Sequence, residues 1–170
     1  MRNFTKIILV IVLMAIMEAC SQKQEPKTIY IVRHAEKLLT GDDPELSVAG
    51  AARAVKLGQI LEGEEIAHIF STNTIRTVAT VRHVSNHSGA QIEAYDTGRH
   101  DDLVKELKQR KGNILVVGHS NTIHHLVNYF INDDVEYEEL KDVEYDFIFK
   151  VTLDERGNSM VERKIYRDFN

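Results

Sequence analysis

The sequence predicts an α/β domain, a three-layer sandwich with a mostly parallel central sheet and helices on both faces. Two observations predict it. Short β-branched and apolar runs alternate along the chain with segments of helical periodicity. The runs are also continuous rather than alternating, as in strands buried on both faces. The 170 residues suit one domain, and 43% hydrophobic content is enough to build a core.

The elements follow in order. Residues 28–32 (TIYIV) read as a buried strand, and 35–46, with Gly41, Asp42, Asp43 and Pro44, as a loop. Ser47 is a good N-cap, and Val48, Ala51, Ala52, Val55 and Gly58 follow at helical spacing up to Gly63. A second strand is expected at 67–70, a helix at 74–87 and a third strand at 91–95. Asp101 is expected to cap a helix carrying Leu103, Val104 and Leu107, closed by Gly112. Residues 114–117 read as a fourth strand. Asn121 is expected to open a helix with Ile123, Leu126, Val127 and Phe130 on one face. The acidic stretch 133–142 reads as a solvated loop or short helix. Residues 145–153 and 160–166 read as a hairpin around Glu155, Arg156, Gly157 and Asn158.

The first residues are a different object. Arg2 and Lys6 precede an unbroken apolar run at 7–17. Eleven residues are too few to span a bilayer, which takes roughly twenty, and suit the core of a signal peptide. Ala19 and the sole cysteine, Cys20, follow. A small residue before a cysteine just past such a core resembles the bacterial lipoprotein signal. That resemblance implies cleavage before Cys20, lipidation of its thiol, and an exported protein of the bacterial cell envelope anchored to the membrane. The expected organisation is a signal peptide at 1–19, a tether at 20–27 and one domain at 28–170. With so short a tether, the domain's site is expected close to the membrane.

One cysteine excludes a disulfide framework and a Cys-rich zinc site. A net charge of −5 argues against nucleic acid as a partner. His83 and His87 stand four apart, but Val84 occupies the place where a zincin needs Glu. His124 and His125 are adjacent on a helix, so their rings are expected to point apart. Residues 118–122 (GHSNT) half-match a serine nucleophile elbow, lacking its second glycine.

In open parallel sheets ligands bind beyond the carboxyl ends of the strands. After the first strand come Arg33, His34, Ala35 and Glu36; after the second, Ser71, Thr72 and Asn73, with Arg76 on the next helix. Asp96, Arg99 and His100 follow the third, and His119, Ser120 and Asn121 the fourth. Arginine forks match phosphate oxygens, helix N-termini add donors, and histidine serves as nucleophile or acid–base. The residues therefore point to phosphoryl transfer through a histidine.

The segments 31–36 (IVRHAE), 72–80 (TNTIRTVAT) and 116–120 (VVGHS), with 46–50 (LSVAG), resemble the motifs of the histidine phosphatase, or phosphoglycerate mutase-like, superfamily, over about residues 28–130 and in the same order. The resemblance implies that fold, and His34 as the nucleophile that becomes phosphohistidine. It implies Arg33, Arg76 and His119 as the groups that hold the phosphate. It places the proton donor on a carboxylate after the third strand, where Asp96 stands, with Asp101 and Glu36 as competitors. It implies no metal and no cofactor. The expected activity is hydrolysis of phosphate monoesters, on a small-molecule ester or a phosphoprotein. The alternatives are a phosphomutase, disfavoured because little chain is left for insertions above the site, and a non-catalytic phosphate-binding lipoprotein, disfavoured because the motif set is intact.

Overall fold

The structure is a computed structural model and describes residues 24–132 and 136–169. The expected leader, Cys20 and the start of the tether lie outside the described residues, as does part of the acidic stretch. Among the described residues no helix is long and apolar enough to cross a membrane.

Strands β1 (Lys27–Arg33), β2 (Ile66–Ser71), β3 (Ile92–Ala94) and β4 (Asn113–Gly118) alternate with helices α1 (Val48–Leu61), α2 (Ile75–Ser88), α3 (His100–Gln109) and α4 (Ser120–Asn128). A hairpin of β5 (Phe147–Leu153) and β6 (Ser159–Ile165) and a 3-10 turn at Tyr166–Phe169 complete the chain. The sheet order is β3-β2-β4-β1-β5-β6. The first four strands are mutually parallel, and β5 and β6 run antiparallel. This is the predicted α/β sandwich.

Central strands bury both faces. In β1, Ile29 and Ile31 join Ile114 and Val116 of β4 against Leu103 and Leu107 of α3 and Ile123 and Leu126 of α4. Tyr30 and Val32 join Leu115 and Val117 against Leu57 and Leu61 of α1 and Val81 and Val84 of α2. Alternate residues of one strand thus feed two helical layers, and each fully buried side chain contributes roughly 1.5–3 kcal/mol. The helix after β1 and the helix after β4 lie on opposite faces. The crevice between the carboxyl ends of β1 and β4 is where such a sheet opens.

Several boundaries differ from expectation for physical reasons. The backbone of Gln24 donates to the Glu155 carbonyl at 3.1 Å, and its side chain to that of Asp154 at 2.8 Å, so the fold already holds the chain at residue 24. The Lys27 ammonium then caps the end of α3 through the carbonyls of Lys108 and Arg110. Helix α3 starts at His100 with Arg99 as N-cap, so Asp101 sits in the first turn. Helix α4 starts at Ser120 with His119 as N-cap, rather than at Asn121. It ends at Asn128, yet Phe130 remains in the core. The rings of His124 and His125 do not point apart: their centroids are 3.9 Å apart. His83 packs at the crossing of α1 and α2, where a Cβ on Gly58 would come within 2.9 Å of it.

Candidate active site

β1 and β4 pair so that Arg33 lies opposite Gly118. The next residues, His34 and His119, therefore leave the sheet side by side, with ring centroids 5.4 Å apart at 67°. The His34 amide donates to the Gly118 carbonyl at 2.9 Å. Its Nδ1 lies 2.8 Å from the Ala35 carbonyl oxygen. A carbonyl only accepts, so Nδ1 carries the proton and the lone pair is on Nε2. His34 is 3% exposed. Burial, and after it the charges of Arg76, His119 and Arg33, lower its pKa to about 4 against the favourable Ala35 bond. The imidazole is neutral at pH 7.

His119 is fixed in the complementary tautomer. Arg76 Nη2 donates to its Nδ1 at 3.4 Å, so Nε2 holds the proton and donates to Thr72 Oγ1 at 2.9 Å. The Thr72 hydroxyl passes on to Thr77 Oγ1 at 3.1 Å, and Thr77 to the Thr72 carbonyl at 2.8 Å. Burial first, then Arg76 and Arg33, lower the His119 pKa to about 4. Thr80 Oγ1 donates to the Arg76 carbonyl at 2.7 Å and accepts from the Ala35 amide at 2.9 Å, joining α2 to the residue after His34.

Two guanidinium groups flank the imidazoles. Arg33 is 4% exposed. Its Nη1 donates to the carbonyls of Lys141, Asp142 and Glu144 at 2.8, 3.3 and 3.2 Å. The Tyr145 ring covers it, 4.0 Å from Cζ to the centroid. Arg76 Nη1 donates to Asp43 Oδ1 at 3.0 Å. Both arginines keep a buried Nε–H without a hydrogen-bond partner. Two such donors beside two neutral imidazoles form a receptor for a dianion.

The structure brings Arg33, His34, Arg76 and His119 together. It sets Asp96 in a neighbouring groove lined by Phe70, Tyr95 and Leu103. Asp96 is exposed, accepts from the Gly98 amide at 2.8 Å, and acts electrostatically on His100. Glu36 is held by Arg53 through bonds of 2.8 and 2.6 Å, which lower its pKa. Asp101 accepts the Tyr129 hydroxyl at 2.6 Å. Among the described residues no group of three or more His, Cys, Asp or Glu side chains could hold a metal ion.

Sequence reasoning passed over three contributors. The carbonyls of Lys141, Asp142 and Glu144 have no signature in residue type. Asp43 read only as a turn residue. Tyr95 read as a strand end, yet its hydroxyl lies against Gly118, where a Cβ would come within 2.6 Å of it. Burial raises the pKa of that phenol.

Residues 29–99 match the model of the Histidine phosphatase superfamily (branch 1). Among solved structures, the chain is similar to the protein histidine phosphatase SixA complexed with tungstate, at 18% identity and a TM-score of 0.66, covering 84% of this chain and 99% of that one. It is also similar to phosphoglycerate mutase from Bacillus anthracis str. Sterne, at 15% identity and a TM-score of 0.68, covering 88% and 97%. Phosphoglycerate mutase from Plasmodium falciparum is similar at 19% identity and a TM-score of 0.58, covering 82% and 90%. No curated protein matches. At these identities the solved structures speak for the phosphoglycerate mutase-like fold.

Proposed function

We propose that the protein is a phosphatase that hydrolyses phosphate monoesters through a phosphohistidine at His34. The observation that carries this is a buried His34 whose lone pair is on Nε2, acted on by the charges of Arg76 and Arg33, each of which keeps a buried, unpartnered Nε–H. Arg33 and Arg76 hold the phosphoryl oxygens and balance their charge, the main demand of phosphoryl transfer. The neutral His119 keeps Arg76 Nη2 in place through Nδ1, and reaches a phosphoryl oxygen only by turning its Nε2–H from Thr72. His34 Nε2 attacks phosphorus; a P–N bond forms as the P–O bond to the leaving group breaks. Of the carboxyls considered for protonating that oxygen, Glu36 is held by Arg53 and Asp101 accepts from Tyr129. Asp96, two residues past β3 and in the neighbouring groove, carries the assignment on the family resemblance alone. Its carboxylate then takes a proton from water, whose oxygen attacks phosphorus, breaks the P–N bond and releases phosphate. Guanidinium charge does the work that Mg²⁺ does elsewhere, so the reaction uses no metal.

The substrate is a phosphate ester on a small molecule or a protein. The leader supports export to the bacterial cell envelope with a lipid anchor on Cys20, and so a substrate outside the cytoplasm. The test is His34→Ala. Turnover of a phosphate monoester should vanish while the protein stays folded, and a labile phosphate donor should label His34 in the parent. Undiminished hydrolysis by folded His34→Ala protein rules the mechanism out.

A further inference from the structure

A guanidinium group grips phosphate best when its donors are already aimed. Both arginines of this site are held by the same end. Three carbonyls fix Nη1 of Arg33, leaving its buried Nε–H unpartnered. On Arg76 the corresponding Nη1 is fixed by one carboxylate, that of Asp43, at 3.0 Å, and again the buried Nε–H is left unpartnered. Asp43 is itself anchored, since its Oδ2 accepts the Ile75 amide at 3.0 Å, at the first turn of α2. It thus joins the loop after His34 to the helix that carries Arg76. The Asp43 side chain is 43% exposed, so it holds the arginine from the solvent side.

We propose that Asp43 is a positioning residue: it fixes Nη1 of Arg76 so that the Nε–Nη2 edge faces the phosphoryl group and Nη2 stays on His119. The proposal rests on the reading of Arg76 as a phosphate-holding group. A plain charge argument predicts the opposite sign. Removing a carboxylate beside a dianion site strengthens ground-state phosphate binding, and a carboxylate that merely competed with phosphate would be an inhibitor. A positioning role predicts loss of rate.

The experiment compares the full chain with Asp43→Asn, Arg76→Ala and the double variant, on p-nitrophenyl phosphate. Asn keeps an acceptor for the Ile75 amide and removes the charge facing Arg76; Asp43→Ser serves if the Asn protein does not fold. We expect kcat to fall about tenfold in Asp43→Asn with KM not raised, since about 1 Å of misplacement costs up to ~10²-fold. We expect the same substitution to change kcat less than twofold once Arg76 is Ala. An unchanged or increased kcat in Asp43→Asn overturns the proposal, as does a tenfold loss that persists in the Arg76→Ala background. An inactive parent protein overturns the proposed function instead, so the two failures are told apart.

Discussion

A histidine can attack phosphorus only while it is neutral. Burial and three neighbouring cationic or ring groups keep His34 so down to about pH 4. The acid limb of the free enzyme's kcat/KM should therefore lie near pH 4, well below the ordinary imidazole value of 6.5. Stability follows the same groups. The folded-state pKa values of His34 and His119 lie below 6.5, so between about pH 4 and 6.5 the unfolded chain binds protons that the native site does not. The unfolding free energy is then full above 6.5 and declines as pH falls toward 4. A kcat/KM profile with its acid limb near 6.5 would mean that His34 is solvated. The same physics explains what the sequence reveals of the site. Arg33, His34 and His119 follow apolar runs that must be strands, and Arg76 stands in the first turn after one, so their convergence is legible. The groups that aim them are not: a carbonyl of 141–144 looks the same behind any side chain, and Asp43 sits in a loop whose path no periodicity records.

Helix ends and close approaches set the positions of these groups at the next scale. Ser47 Oγ accepts the Gly50 amide at 3.1 Å, so α1 begins as its sequence announces; the Thr74 side chain accepts the Thr77 amide, so Thr74 caps α2 rather than opening it. Gly89, at φ 74°, ends α2 in the left-handed region that glycine favours. Strands β1 and β4 are legible because each holds a continuous apolar run, whereas the starts of α3 and α4 are not. Arg99 caps α3 without a side-chain bond, and His119 occupies the N-cap of α4. Gly50 has a sharper reason. A Cβ there would lie 2.0 Å from the Glu36 carbonyl oxygen, two residues after His34. Backbone cannot rotate away as a side chain does, so α1 must move off the loop. Gly50→Ala should cost about 1–3 kcal/mol, the range for overpacking, and lower the proposed hydrolysis with it. Gly63→Ala, where nothing lies within 4 Å, is the control and should leave the thermal midpoint near that of the parent. Equal midpoints for the two variants would show that the loop yields without cost.

The whole molecule has a direction. Strand β1 enters at Lys27 on one edge of the sheet and delivers Arg33 and His34 at the other, about 20 Å away at ~3.3 Å per residue. A tether of seven residues between Cys20 and the fold would reach at most about 25 Å. Gln24 is already bound to the turn between β5 and β6, so only four residues, 20–23, separate a lipid on Cys20 from the fold, a span of at most about 15 Å. If Cys20 carries the lipid, the edge bearing Gln24, Lys27 and that turn faces the bilayer, and the phosphate site opens on the far side. The site is then less close to the surface than tether length alone suggests, and soluble phosphate esters reach it without crossing the membrane interface. Two or three acyl chains anchor stably, whereas one is marginal. Cys20→Ser should move the protein out of the membrane fraction, or leave it unprocessed. Hydrolysis of a soluble ester by the released protein should stay within about twofold of the anchored form, if the anchor attaches beside Gln24, at the end of β1 away from His34. Fractionation, intact-mass measurement of the mature amino terminus and the ester assay check the three parts. Processed Cys20→Ser protein that stays with the membrane, with no lipid on the parent, would refute the anchor. A large gain in rate on release would show instead that the site faces the bilayer.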